Sequence, residues 1–214
     1  THSVGTPARI SVFGGIHIKQ FFPALFLFGL TVAAPAQAAD LAQGKALFDA
    51  TCVACHGAQG QGNPALGAPA LAGQQAAYVQ RQLLNFRTDL RGTAPGDTGG
   101  AQMAPMAKAL PDDAAVAAVA EYLASLPASK ATPSIAGGDA AQGAKLYQSK
   151  CGSCHGGKAE GNPSLNSPRL AGQSDSYLLT QFNNFKQGKR GYQQQDRFGR
   201  QMKMMANTVN EAEL

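Results

Sequence analysis

The chain has 214 residues and a formal net charge of +5, with 14% charged and 44% hydrophobic side chains and no tryptophan. This composition is typical of a soluble protein with one medium domain or two small ones. No dense run of lysine and arginine is interleaved with aromatic residues, so the composition excludes the usual pattern of a nucleic-acid-binding protein.

The first 39 residues differ from the rest. Lys19 precedes an uncharged stretch that is apolar from Phe21 to Ala34 and ends in small residues. This is the pattern of a secretory signal peptide. An uncleaved membrane anchor is the alternative, although the apolar run is shorter than the ~20 residues that span a bilayer. We predict that residues 1–39 are an N-terminal extension plus signal peptide, cleaved near Ala38 or Ala39, and that the protein is exported to the periplasm.

Three helices are predicted next in chain order. Asp40 can cap a first helix that runs to about Ala50. A second helix is predicted over residues 74–90, where apolar side chains recur at steps of four, three and four. The third begins at Pro111, presents valines and leucines at helical spacing, and ends before Pro127. Glycine- and proline-rich loops separate the helices, and no alternating strand pattern is present.

The chain repeats itself at an offset of 99 residues. This offset relates Cys52 to Cys151, and it holds without insertion as far as Met106 and Met205. A fixed offset indicates two homologous domains. The pairs that carry the repeat include histidines, Asn-Pro, Leu-Ala-Gly, tyrosines, Asn-Phe, glycines and methionines.

The repeat sets the domain boundaries. We predict a first domain over residues 40–126, a linker rich in proline, serine and glycine over 127–138, and a second domain over 139–214. Leu214 corresponds to position 115, so the second repeat stops where its last helix would start. We expect the sequence to be a fragment whose longer reading frame carries that helix.

The two halves differ in charge. Residues 40–131 contain 6 Lys or Arg against 7 Asp or Glu, whereas residues 132–214 contain 10 against 6. The net charges are about −1 and +4, which predicts a charge dipole that can steer association with a partner.

All four cysteines lie in two copies of Cys-x-x-Cys-His, a pattern that indicates c-type haem attachment. Two thiols three positions apart can form thioethers with the two vinyl groups of one porphyrin, and the adjacent histidine then lies beneath the iron. The predicted residues are Cys52, Cys55, His56, Cys151, Cys154 and His155. We therefore predict two covalently bound haem c groups.

Other uses of the cysteines fit less well. A redox disulfide would need a thioredoxin-like βαβ setting, and a zinc site would need both motifs to converge from separate domains. After residue 39 the only histidines are His56 and His155, so the sixth iron ligand is expected to be methionine. Met204 is excluded as the repeated ligand because its counterpart at the 99-residue offset is Pro105. Two candidate pairs remain: Met103 with Met202, or Met106 with Met205.

The order of these features resembles a class I cytochrome c. Its duplication, with PALAGQ and PRLAGQ, is similar to the di-haem cytochrome c4 family over residues 40–214. The resemblance implies an all-α fold of two tandem domains, each with three to four helices around a haem, the second domain lacking its C-terminal helix in this chain.

The resemblance also implies the finer site. The axial methionine lies seven positions before the leucine that precedes the terminal helix, which gives Met103 and, with Val209 in the leucine position, Met202. Met106 and Met205 would then pack in the haem pocket. Backbone carbonyls at Pro69 and Pro168, the prolines of Pro-x-Leu, would orient the two histidines.

Arg91 and Arg190 each precede a repeated glycine and are candidate partners of the haem propionates. The alternative is that they are ordinary exposed arginines.

Filled axial positions leave no place for a substrate, so we predict an electron carrier that is not an enzyme and takes no small-molecule substrate. The resemblance implies redox protein partners in the respiratory chain: a donor such as a bc complex and an acceptor such as a terminal oxidase. Such membrane-bound complexes allow peripheral membrane association. The alternatives are a di-haem peroxidase-like enzyme and a cytochrome subunit of a larger dehydrogenase.

Overall fold

The computed structural model describes residues 36–210 and 213–214, which lie within one compact unit. Residues 1–35 of the predicted extension and signal lie outside the described part. The described residues are mostly helical and contain two isolated β-bridges but no strand. None of their helices is both long and apolar enough to cross a bilayer. The helices are α1 Ala36–Thr51, α2 Val53–His56, α3 Ala76–Arg87, α4 Thr98–Lys108, α5 Asp113–Ser125, α6 Ala140–Lys150, α7 Gly152–His155, α8 Asp175–Lys186 and α9 Arg197–Ala206.

The predicted helices are present with adjusted ends. Helix α1 begins at Ala36, so the predicted cap at Asp40 is wrong: neighbouring alanines are strong helix formers and extend the helix toward the N-terminus. Helix α3 is shorter than the predicted 74–90 because Asp89 adopts a positive φ of 59°, which a continuing helix does not allow. Helix α5 starts after Asp112, whose Oδ1 accepts the N–H of Ala115 at 2.8 Å.

Helix α4 was not predicted. The expected loop around Met103 is helical from Thr98 to Lys108, although it contains two glycines and Pro105, which disfavour a helix. The helix is anchored at its start by Asp97, whose Oδ1 accepts the N–H of Gly100 at 3.0 Å. Asp196 caps α9 in the same way, through Gly199 at 2.9 Å. Asp97 and Asp196 occupy equivalent positions in the two repeats, and as capping residues they were the sequence feature from which α4 and α9 could have been predicted.

The core of the first half lies where α1 crosses α5. Its largest fully buried side chains are Phe48, Val116, Val119 and Leu123. Gly44 lies at the crossing, and a Cβ there would overlap the carbonyl group of Ala118. The counterpart of Gly44 in α6 is Gly143, and a Cβ at that position would have no atom within 4 Å. No counterpart of α5 is present among the described residues of the second half.

The segment between α5 and α6 is non-helical but anchored. The carboxylate of Asp175, at the start of α8, accepts the N–H groups of Ser134 at 2.6 Å and Ile135 at 2.7 Å. These bonds and the Ser134 hydroxyl lower the pKa of Asp175 below its usual range, because they stabilise the ionised carboxylate. The backbone of Ser129 also packs closely against Gly172. The connection is therefore held against the second half.

Two equivalent glutamines join the halves reciprocally. The Gln74 side chain donates to the Arg169 carbonyl at 2.9 Å and accepts the N–H of the same residue at 3.0 Å. Gln173, 99 residues after Gln74, accepts the Ala70 N–H at 3.0 Å and donates to the Ala70 carbonyl. Each contact thus recurs with the halves exchanged, which is the property of a two-fold interface.

Thr93 and Tyr192 are equivalent positions that contact each other. Their hydroxyl oxygens lie 2.6 Å apart, and the two residues are separated by the repeat offset of 99. Equivalent positions meet directly only near a two-fold axis. The pseudo-symmetry axis of the molecule therefore passes close to this pair.

Replacing Gln173 with alanine is expected to lower the free energy of unfolding by about 1–3 kcal/mol, because both backbone groups of the buried Ala70 lose their partner. Urea unfolding of the full-length protein measures this. Gln142 is exposed, and its side chain has no hydrogen bond within residues 36–210, so Gln142→Ala should stay within ~0.5 kcal/mol of wild type. An equal decrease in the free energy of unfolding for the two variants would contradict the role of Gln173 in joining the halves.

Candidate functional site

Each Cys-x-x-Cys-His motif forms a single helical turn directly after a longer helix. In the first copy the N–H of Cys52 donates to the Phe48 carbonyl at 2.8 Å, and the N–H of His56 donates to the Cys52 carbonyl at 2.9 Å. The turn ends at Gly57, whose φ of 78° favours glycine. In the second copy Cys151 and His155 make the corresponding bonds at 2.8 and 2.9 Å. Residues three positions apart in such a turn are neighbours on one face, which places the two thiols side by side.

The two histidines have a fixed orientation. The Nδ1 atom of His56 lies 2.9 Å from the Pro69 carbonyl oxygen, and that of His155 lies 2.9 Å from the Pro168 oxygen. A carbonyl can only accept, so Nδ1 carries the proton in both rings and Nε2 keeps its lone pair. Both rings are buried. Burial lowers the pKa of each imidazole, partly opposed by the proline carbonyl bond. Neutral, oriented imidazoles of this kind are ready metal ligands.

The four cysteines are free thiols in the structure. Burial, together with the nearby Cys55, raises the pKa of Cys52 to about 11, and burial also raises the pKa of Cys151. Cys55 and Cys154 are exposed. Within residues 36–210 and 213–214, no three His, Cys, Asp or Glu side chains are grouped so that they could hold a metal ion, so the zinc alternative gains no support. Each pair thus has one exposed and one half-buried thiol next to the histidine turn, which suits covalent attachment of a planar group.

The methionine pairs differ in exposure. Met103 is partly buried and packs against the cluster of Phe86, Ala104 and Ala107. Met106, one turn further along α4, is 41% exposed, and so is its counterpart Met205. Met202 is partly buried like Met103. The geometry of the two helices therefore favours the Met103 and Met202 pair as the inward-facing thioethers.

Arg91 and Arg190 are both buried, which excludes the alternative that they are ordinary exposed arginines. Each guanidinium donates to the same two glutamines, one from each half. Arg91 reaches Gln82 at 2.9 Å and Gln181 at 3.0 Å, and Arg190 reaches both at 3.0 Å. The Nε of each arginine has no hydrogen-bond partner among the described residues. Neither arginine forms an ion pair with a carboxylate in the described part of the chain.

Tyr78 makes this cluster asymmetric. Its hydroxyl accepts from Nη2 of Arg190 at 2.9 Å, whereas its counterpart Tyr177 has no side-chain hydrogen bond within the described residues. Burial opposes ionisation of Tyr78, but the guanidinium groups of Arg190 and Arg91 outweigh burial and lower its pKa. Buried positive charge with unpartnered N–H groups indicates that an anionic group completes this region. Gln82, Gln181 and Tyr78 were not among the predicted site residues, although each has a counterpart of the same type in the other repeat.

Comparison with known proteins identifies the family of this tandem arrangement. A family model described as Cytochrome c matches residues 41–127 and, separately, residues 140–214. The chain belongs to the cytochrome c family. This cytochrome is 34% identical over 184 residues to cytochrome c4 of Stutzerimonas stutzeri, which covers 80% of the chain and 84% of the relative. The predicted membership of the cytochrome c4 group is confirmed.

A solved structure agrees. The reduced recombinant cytochrome c4 from Pseudomonas stutzeri superposes with a TM-score of 0.62 at 28% identity, covering 85% of this chain and 94% of that structure. The predicted all-α fold of two tandem cytochrome c domains is confirmed. Another relative is a thiosulfate dehydrogenase electron acceptor from Thiomonas intermedia, 40% identical over 150 residues. That match covers 66% of this chain and 65% of the relative, just under two thirds of its length.

Membership of this family implies covalently bound haem c and electron transfer. The residues present fit such a group: paired free thiols, an oriented neutral imidazole beside them, and an inward-facing thioether in each repeat. The unpartnered Nε atoms of Arg91 and Arg190 are suited to its acidic substituents.

Proposed function

We propose that the protein is a periplasmic di-haem electron carrier with one haem c in each domain. The domains are residues 40–126 and 139–214, joined by 127–138. The observation that carries the proposal is that each repeat supplies a complete and equivalent set of donors: two thiols, a histidine whose Nε2 is free to bind iron, and a methionine that faces inward.

The role of each residue follows from its chemistry. Cys52 and Cys55 would hold the first haem and Cys151 and Cys154 the second. His56 and Met103 would bind the iron of the first, and His155 and Met202 that of the second. The Pro69 and Pro168 carbonyls keep Nδ1 protonated and so direct Nε2 to the metal. Arg91 and Arg190 bind the propionates.

When bound, the haem supplies an iron that accepts and releases single electrons, and methionine ligation favours its reduced state. With a histidine and a methionine both bound, the iron would have no position for a substrate, which supports a carrier over a peroxidase-like enzyme. The buried arginines and glutamines hold the two domains in one arrangement, so little needs to move when the charge changes.

Haem quantitation and an absorption spectrum of the oxidised protein test this function. We expect two haems per chain, low-spin iron, and a weak band near ~695 nm from methionine ligation. Replacing Cys151 and Cys154 with serine should halve the haem content while the first domain keeps its spectrum. A single haem in the wild-type chain, or a high-spin spectrum, would contradict the proposal.

A second candidate is favoured by one comparison: this chain resembles a thiosulfate dehydrogenase electron acceptor at 40% identity. In that case the cytochrome is a dedicated acceptor for a dehydrogenase, and the chemistry of its own haems is unchanged. The two roles differ in the protein that donates electrons to this cytochrome. Rapid reduction by a purified thiosulfate dehydrogenase with thiosulfate, but slow reduction by a bc complex, would assign the dehydrogenase role. The opposite ranking would assign a general respiratory carrier.

A further inference from the structure

The two methionine helices differ sharply in charge, although they occupy equivalent positions in the repeats. Helix α9 carries three cations where helix α4 carries neutral side chains at the 99-residue offset. The pairs are Arg197 and Thr98, Arg200 and Ala101, and Lys203 and Ala104. The repeated fold does not require these cations, because α4 forms without them.

Two of the three cations of α9 lie with an exposed apolar side chain on the face that points away from the core. Arg197 and Arg200 are exposed, and Met204, one turn after Arg200, is 66% exposed. The opposite side of the helix packs inward through Gly199 and Ala206, which are buried. We call Arg197, Arg200 and Met204 the α9 face.

Within the part of the chain that the structure describes, no acidic side chain neutralises the α9 face. Among residues 36–210 and 213–214, neither Arg197 nor Arg200 forms an ion pair. The nearest acid along the chain, Asp196, is buried and caps the helix through the N–H of Gly199. The Arg197 guanidinium lies over the Phe198 ring, 5.6 Å from its centroid, which leaves its charge available to a partner.

We propose that the α9 face is the docking surface for an acidic redox protein, and that the second domain is therefore the one that exchanges electrons with this partner. The proposal rests on the proposed electron-carrier function and names its contact surface. Charge complementarity specifies the occupant, because two unpaired arginines attract a carboxylate-rich surface and steer its approach. An exposed methionine among them supplies an adaptable apolar contact of the kind that a short-lived complex needs.

The position of the face on α9 connects docking to the haem site. Met202, the proposed ligand, belongs to the same helix and is partly buried, whereas Arg197 and Arg200 are exposed. A protein docked on the outer side is then separated from the second haem site by one helix. The equivalent side of α4, with Thr98, Ala101 and Pro105, offers neither charge nor methionine sulfur at these positions.

The chain provides a matched exchange for testing this surface. In the haem-loaded full-length protein, Arg197→Thr with Arg200→Ala gives α9 the residues of α4, and Thr98→Arg with Ala101→Arg does the reverse. The probe is an acidic blue-copper protein of high negative charge, mixed with each variant in a stopped-flow instrument. We expect the α9 double variant to lower the second-order rate by about 5- to 10-fold at ~20 mM ionic strength. The difference should vanish near ~0.5 M, where exposed charges are screened.

Haem content and both reduction potentials, measured on the same samples, separate the two hypotheses. Missing haem or irreversible redox behaviour would overturn the electron-carrier function itself. Intact haems with wild-type rates in the α9 double variant would overturn only the docking proposal. A second result would also overturn the docking proposal: the α9 double variant loses binding to phosphatidylglycerol vesicles, but its rate with the acidic protein is unchanged. That result would assign the face to a membrane. An α4 double variant that accelerates the reaction would support the proposal, since added charge there creates a second docking point.

Discussion

Replacing Gly44 with alanine is expected to destabilise the first domain by about 3 kcal/mol, because the new Cβ would overlap the carbonyl group of Ala118 where α1 crosses α5. The Cβ of Tyr122 would also lie only 2.9 Å away. Both obstacles belong to helix α5, whose residues Val116 and Val119 are fully buried. The two helices must therefore separate to admit a methyl group, and packing along the whole crossing is weakened.

Gly99→Ala is the control, since it changes an exposed glycine of helix α4 in the same domain. No atom lies within 4 Å of the place that its Cβ would take, so the alanine should raise stability by about 0.5–1 kcal/mol through its better helix propensity. Urea unfolding followed by circular dichroism measures both variants. Opposite signs for Gly44→Ala and Gly99→Ala are the expected result, and a loss of similar size in both would show that the crossing is not the cause.

The second large effect is expected at the methionines. Met103→Leu should remove the weak long-wavelength band of the first haem and lower its reduction potential by a few hundred millivolts, within the ~0.8 V range that axial ligands set. Leucine keeps the volume of the side chain but has no sulfur lone pair, so packing against Phe86 is preserved while ligation is lost. Met202→Leu should have the same effect on the second haem.

Met106→Leu and Met205→Leu are the controls, because both side chains are 41% exposed. They should leave spectrum and potentials near wild type. Potentiometric titration with optical detection resolves the two haems and measures all four variants. If Met106→Leu abolished the band and Met103→Leu did not, the ligand assignment would be reversed.

Much of the site could be predicted because the repeat separates residues that recur in both domains from residues that do not. A constant offset selects the residues that both domains need, and covalent haem attachment requires a fixed local spacing. The orientation of His56 by Pro69 could be predicted from family resemblance, although 13 residues separate them. The family resemblance already favoured Met103 over Met106. The structure adds a physical difference that the sequence does not show: on helix α4 Met103 is partly buried and Met106 is exposed.

The interface could not be predicted in the same way. The repeat shows that Gln74 and Gln173 are equivalent, but it does not show that each bonds the backbone of the opposite half. Such contacts join residues about a hundred positions apart and depend on how two folded domains meet. Helix α4 was missed for a related reason: its glycines and Pro105 disfavour a helix locally, and packing of Ala104 and Ala107 against Phe86 overrides that preference.

The contact between Thr93 and Tyr192 has a consequence for how the molecule could diversify. In a dimer of identical chains, every substitution at the axis appears twice, so a bulky residue there must accommodate its own copy. In a single chain that contains both halves, the two positions mutate independently. A large tyrosine can face a small threonine, and Tyr78 can bond Arg190 while Tyr177 makes no matching bond within the described residues. Fusion of the halves thus allows the two proposed haem sites to acquire different surroundings, which is the condition for a directional flow of electrons between them.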